Sequence, residues 1–73
     1  MQENLRTRFA ALRKGLRLTQ AETAAAIGVS LSQYSMFEIG RRRLSAEKIE
    51  KLGTFLRDKG HVAIATGAAV VAA

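Results

Sequence analysis

The sequence contains no cysteine, no proline and no tryptophan, and His61 is its single histidine among 73 residues. Without cysteine the chain forms neither disulfides nor thiolate metal sites, and thiol catalysis is excluded. A zinc site needs several His, Cys or carboxylate ligands held together, so we expect no metal and no cofactor. A core this small is marginally stable. Oligomerisation is the remaining way to stabilise it.

Acidic residues are also scarce, because 12 Lys and Arg stand against six Asp and Glu and give a net charge of +6. Such a surface favours polyanions, since binding phosphates releases counterions. The N-terminus is polar and charged, unlike a signal peptide. The apolar stretch 62–73 is too short to span a membrane, which takes about 20 residues. We therefore predict a cytoplasmic protein with no membrane contact.

Caps and periodicity predict four helices. Asn4 can cap the first, and Ser45 can cap the fourth, which Lys59 and Gly60 end. The apolar stripe of the first helix recurs at helical spacing and comprises Leu5, Phe9, Leu12 and Leu16. The stripe of the fourth comprises Ile49, Leu52 and Leu56.

The two middle helices are short and strongly marked. Thr19 and Ser30 each precede a helix, and a Glu or Gln three residues later gives both the pattern of a capping box. Gly28 and Gly40 end these helices, where a left-handed residue is required. Only Gly28 and Val29 separate the two helices, which predicts a helix-turn-helix. In that geometry one helix crosses the DNA backbone while the other enters the major groove.

The stretch 61–66 alternates large and small apolar residues, with its β-branched residues at every second position, which predicts a short strand. An unpaired strand edge tends to find a partner. We therefore predict that the strand pairs with its counterpart in a second copy of the chain. Residues 1–60 would form the helix-turn-helix domain and residues 61–73 the dimerisation element. The predicted dimer contacts are Phe55, Val62 and Ile64.

Several positions in and around the middle helices share one joint pattern: Leu18-Thr19-Gln20, Ala24, Ile27-Gly28-Val29-Ser30, Ser35, Glu38 and Gly40. In this spacing they resemble the phage repressor/Cro family, also called Xre-type regulators, over roughly 5–56. The resemblance implies a mainly α fold, a compact bundle of four to five short helices that binds double-stranded DNA as a homodimer. It implies a non-enzymatic transcription regulator associated with a bacterial or phage nucleoid.

The resemblance also assigns residues to the DNA. Gln20 matches a glutamine that contacts phosphate or positions base-reading side chains. The loop matched to the sugar-phosphate backbone comprises Arg41, Arg42 and Arg43. The positions matched to base edges are Leu31, Ser32 and Met36, flanked by Gln33 and Ser35. Serine can bond any base, and Leu or Met can contact a thymine methyl. The recognition helix lacks arginine, so DNA shape is expected to contribute to specificity.

Other matched positions are interpreted as scaffold. Arg13 and Glu38 resemble a salt bridge between the first and third helices of some family members. Tyr34 and Phe37 share one helix face, which favours the core over base stacking. Thr23 stands where the family usually has leucine, which weakens the expected packing of the second helix.

The sequence is compatible with two functions. The first is a repressor that binds a palindromic operator as a homodimer, although the sequence does not distinguish repression from activation. The alternative is an antitoxin that neutralises a protein toxin and regulates its own operon, because antitoxins that pair with HipA-type kinases end in a similar strand. The helix caps disfavour an interfacial membrane peptide. No histidine pair, cysteine or phosphate-cradling glycine loop indicates an enzyme.

Overall fold

The computed structural model of the chain describes the backbone of residues 2–65 and the side chains of residues 4–61. This part consists of four helices and contains no strand: α1 (Gln2–Gly15), α2 (Gln20–Ile27), α3 (Leu31–Glu38) and α4 (Ala46–Ala65). The predicted mainly α bundle is confirmed over these residues. Among them, no helix is long and apolar enough to cross a membrane.

The two short helices begin where their caps predict. The Thr19 hydroxyl accepts a hydrogen bond from the Glu22 N–H (2.9 Å), and the Glu22 carboxylate accepts one from the Thr19 N–H (2.8 Å). The Ser30 hydroxyl accepts from the Gln33 N–H (3.0 Å). These bonds satisfy backbone donors that have no partner within the helix. The cap predicted for α1 is wrong, because that helix begins at Gln2 and Asn4 lies inside it.

Left-handed residues end the first three helices. Gly28 and Gly40 have φ angles of 76° and 84°, and Arg17 has a φ of 60° after α1. At the end of α3, the Gly40 N–H donates to the Phe37 carbonyl (3.0 Å), and the Arg41 N–H donates to the Met36 carbonyl (2.8 Å). This double closure satisfies the last carbonyls of the helix. It also fixes the direction in which the basic loop leaves α3.

The core lies where α2, α3 and α4 meet. Its buried apolar residues are Ala24, Ile27, Tyr34, Phe37, Leu44, Leu52 and Leu56. The rings of Tyr34 and Phe37 lie 5.8 Å apart, so their predicted place in the core is confirmed. Thr23 is fully buried, and its hydroxyl donates to the Thr19 carbonyl (2.9 Å). Leu12 was predicted in the apolar stripe of α1, but it is exposed.

The tail of the described chain is helical, because α4 continues past Gly60 to Ala65. The prediction of a strand over 61–66 is therefore wrong for 61–65, and Thr66 lies outside the described residues. Extending an existing helix requires no new nucleation, and one glycine costs only about 1 kcal/mol relative to alanine. Alternating alanines also suit a helix as well as a strand.

Candidate nucleic-acid interface

The third helix has two faces with different surroundings. Its inner face, formed by Tyr34, Phe37 and Glu38, packs toward the other helices, and both aromatic rings are almost fully buried. Its outer face, formed by Leu31, Ser32 and Met36, is exposed. The inner face therefore fixes the orientation in which the outer face is presented to solvent.

A bidentate ion pair attaches the end of α3 to α1. The Arg13 Nε donates to Glu38 Oε2 (2.6 Å), and Arg13 Nη2 donates to Glu38 Oε1 (3.0 Å). The side chains are only 9% and 6% exposed. Arg13 Nη1 also donates to the Leu18 carbonyl (2.6 Å), at the start of the turn into α2. The predicted salt bridge between the first and third helices is confirmed.

Gln20 connects this ion pair to α2. Its Nε2 donates to Glu38 Oε1 (2.9 Å), and its Oε1 accepts a hydrogen bond from the Ser35 hydroxyl (2.8 Å). Gln20 and Ser35, both assigned to DNA contacts from the sequence, are half-buried and bonded to each other. One amide proton of Gln20 and the acceptor side of the Ser35 hydroxyl remain for an outside partner.

The electrostatics of the pair keep Glu38 ionised. Burial raises the pKa of its carboxyl, but the contacts with Arg13, Tyr34 and Gln20 outweigh burial, so the pKa lies below its ordinary value. The pKa of Tyr34 is raised, mainly because its hydroxyl is buried and lies beside that carboxylate. An ionised, fully engaged carboxylate holds the helices together, which is the scaffold role expected from the sequence.

The predicted base-contacting residues lie together on the outer face of α3. Leu31 is 50% exposed and Met36 is 37% exposed, and Ser32 lies between them. Gln33 is half-buried at the edge of this face. Residues 32 and 36 are one turn apart, so they share one side of the helix. A ligand that approaches this side meets one hydroxyl and two apolar side chains first.

The basic loop follows the outer face directly. Arg41, Arg42 and Arg43 are all exposed. The Arg42 N–H donates to the Met36 carbonyl (3.2 Å), as does that of Arg41. The backbone of the loop is thus attached to α3, and its three cations lie next to the end of that helix. Outer face and loop together form one continuous candidate interface, whose members come from residues 31–43.

Sequence reasoning missed Arg6, which holds the end of α3 from α1. Its Nη1 donates to the Glu38 carbonyl oxygen (3.1 Å). Its guanidinium carbon lies 3.2 Å from the point where a Cβ on residue 40 would stand. A cation at a helix C-terminus suits the helix dipole. The contact joins residues 32 positions apart, and no local pattern indicates it.

The residues predicted for dimerisation are placed only in part. Phe55 is half-buried against the core, and the Lys59 ammonium lies 5.7 Å from the centre of its ring. An open groove of ≈ 490 Å³ borders it, lined also by Ala26, Glu50, Lys51 and Thr54. Val62 and Ile64 belong to α4, and their side chains lie outside the described residues. Their role in dimerisation stays a prediction.

Comparison with known sequences identifies one similarity. The sequence model of a family described as Helix-turn-helix matches residues 9–57. The match covers α2, α3 and the basic loop completely, and it includes parts of α1 and α4. Neither the curated proteins nor the solved structures gave a significant match.

Proposed function

Because the chain belongs to the helix-turn-helix family of Xre/Cro-type DNA-binding transcription regulators, we propose that it is a repressor that binds a palindromic operator as a homodimer, at the nucleoid in the cytoplasm. The observation that carries the proposal is the division of α3 into a clamped inner face and an exposed outer face. An exposed helix face beside a basic loop suits the major groove and its flanking phosphates.

Each part of the interface has a proposed role. α3 lies in the major groove, where Leu31, Ser32 and Met36 face base edges and Gln33 reaches them from the side. Arg41, Arg42 and Arg43 contact phosphates, which fixes the register of the protein on the duplex. Gln20 and Ser35 have a joint role, because their hydrogen bond connects the start of α2 to the middle of α3 and so positions both helices on the DNA.

A homodimer is proposed because palindromic half-sites about 34 Å apart require two recognition helices. A twofold interface uses the same surface on both copies. We place it at Phe55 and the C-terminal part of α4, including Val62 and Ile64, through packing of helices. Sedimentation of the full chain and of a chain ending at residue 61 tests this. The shorter chain is expected to be more monomeric, and equal dimerisation would exclude residues 62–73 from the interface.

DNA selection and salt dependence test the proposed repressor. Selection from a random duplex pool is expected to enrich a palindrome. Replacing the three loop arginines by alanine should then weaken operator binding and lower the slope of log K against log salt by about 0.9 for each lost phosphate contact. A charge-matched control replaces Arg8, Lys14 and Arg17, which are exposed in or just after α1, outside both the candidate DNA interface and the proposed dimer surface. Equal salt slopes for both triple variants would show that the loop arginines do not contact the DNA phosphates.

The antitoxin alternative stays a prediction. The C-terminal strand that suggested it is not formed by residues 61–65, which are helical. No contact among the described residues favours a toxin over DNA as the principal partner.

A further inference from the structure

From the outer face of α3 we infer that this protein reads its operator mainly through the C5-methyl groups of thymines, with Leu31 and Met36 as the residues that contact them. The inference rests on the proposed function, since it requires α3 to lie in the major groove.

The recognition helix α3 has few polar side chains that are free to bond a base. α3 contains no Lys, Arg or Asn, and Arg or Lys is the commonest partner of guanine. Glu38 could accept from cytosine N4, but its carboxylate is engaged by Arg13 and Gln20. The Ser35 hydroxyl donates to Gln20. Ser32 and Gln33 therefore remain for base edges, and Ser35 retains only the acceptor side of its hydroxyl.

The same helix exposes large apolar side chains. Leu31 is 50% exposed and Met36 is 37% exposed, whereas Tyr34 and Phe37 are buried. Leu31 lies in the first turn of α3, the part of a recognition helix that contacts base edges. Exposed apolar groups gain free energy when a ligand removes them from water. The apolar group that the major groove offers is the thymine methyl.

The two side chains left for base edges, Ser32 and Gln33, are compatible with this chemistry, because serine can bond any base. A glutamine pairs best with the N6 and N7 atoms of adenine, the partner of thymine. Gln33 therefore favours the same base pair that Leu31 and Met36 favour. We expect the half-site beneath α3 to be rich in T·A pairs and to lack a required guanine.

Removing single methyl groups from the DNA tests this inference. Each thymine of the selected operator is replaced in turn by deoxyuridine, which keeps the hydrogen-bonding groups and lacks the methyl. At one or more positions beneath α3, we expect the Kd of the wild-type protein to rise about fourfold, because the complex no longer buries one methyl carbon. Leu31→Ala and Met36→Ala should each lose this effect at one position. At the thymine that the removed side chain contacted, the variant should bind the thymine and deoxyuridine operators with equal Kd.

Leu12→Ala is the matched control, because Leu12 is a leucine of similar exposure (42%) on α1. This variant should keep the full response to deoxyuridine. Suppose that the pool yields an enriched operator and that every deoxyuridine version of it binds with the Kd of the unmodified operator. This result would overturn the inference and leave the proposed function standing. A deoxyuridine response that persists in both alanine variants would also overturn it. If the pool yields no enriched sequence, the proposed function and the inference both fail.

Discussion

The inner and outer faces of α3 belong to the same eight-residue helix, yet their side chains differ in burial and in hydrogen bonding. The inner face has two buried rings and a carboxylate whose oxygens are bonded to Arg13 and Gln20. The outer face has exposed apolar side chains and a serine. The comparison shows that one face holds the helix in place and that the other is open to a ligand, which we propose is DNA.

This division has a measurable consequence. Changes on the inner face should alter the free energy of unfolding, and changes on the outer face should alter DNA binding at nearly constant stability.

The largest effect is expected from Arg13→Ala, which leaves the buried Glu38 carboxylate without its main partner. Removing one member of a buried pair costs about 3–5 kcal/mol, measured as the free energy of urea unfolding. Lys51→Ala is the control, because it removes an exposed pair in which Nζ lies 3.8 Å from the Glu47 carboxylate. That variant should change stability by less than about 1 kcal/mol. Equal losses in both variants would contradict the special status of the inner pair.

Protonation is a milder way to break the same pair. Because the folded-state pKa of Glu38 lies below its ordinary value of 4.5, its contribution is complete above that pH and is lost as pH falls through the folded value. Stability should therefore fall on acidification below about pH 5.

Glu38→Gln should reduce this pH dependence. Part of the pH dependence should persist in this variant, since hydrogen bonds to the backbone and side chain of Thr19 also lower the pKa of Glu22. The measurement is urea unfolding from about pH 7, where both carboxyls are ionised, down to about pH 3, below the ordinary pKa of a glutamate. An unchanged pH profile in Glu38→Gln would contradict the assignment.

The helix ends of this fold follow from the sequence because their causes are local. Thr19 with Glu22, Ser30 with Gln33, and the two left-handed glycines act within four residues along the chain. The pair of Arg13 and Glu38 was found only through the family resemblance, since its members are 25 positions apart. The continuation of α4 to Ala65 was missed because alanines that alternate with Val62 and Ile64 are compatible with a strand and with a helix.

A smaller loss is expected from Gly40→Ala, at the junction of α3 and the basic loop. Residue 40 has a φ of 84°, and its new Cβ would lie 3.2 Å from the Arg6 guanidinium carbon. An L-residue in this conformation costs about 1–2 kcal/mol. Gly15→Ala is the opposite control, because no atom lies within 4 Å of the new Cβ at the helical residue 15. It should stabilise the protein by about 0.5–1 kcal/mol, and destabilisation by both changes would contradict the argument.

The smallest effect concerns Arg17, an exposed residue in the left-handed conformation after α1. Arg17→Gly should relieve this strain and raise the free energy of unfolding by up to about 1 kcal/mol. Arg17→Ala keeps the strained backbone and should give no such gain. A similar gain in both variants would assign the effect to lost charge, and thermal unfolding at two salt concentrations would show it.

The position of Gln20 shows what remained beyond sequence reasoning at the candidate site. The family resemblance placed it at the interface, and the structure turns its amide toward Glu38 and Ser35. The hydrogen-bond partners of the Gln20 amide depend on the angle between α2 and α3. Packing of the whole core sets that angle. The exposure of Leu31 and Met36 has the same origin, because helical periodicity gives faces but not the neighbours that cover them.

The division of α3 is tested most directly by measuring stability and preferred DNA sequence on the same outer-face variants. Ser32→Gln and Met36→Gln are each unfolded in urea and each used to select DNA from a random duplex pool. The account predicts unfolding free energies within about 0.5 kcal/mol of the wild type, together with a changed preferred base at the position each residue faces. An unchanged preferred sequence in both variants, or a large loss of stability in either, would contradict it.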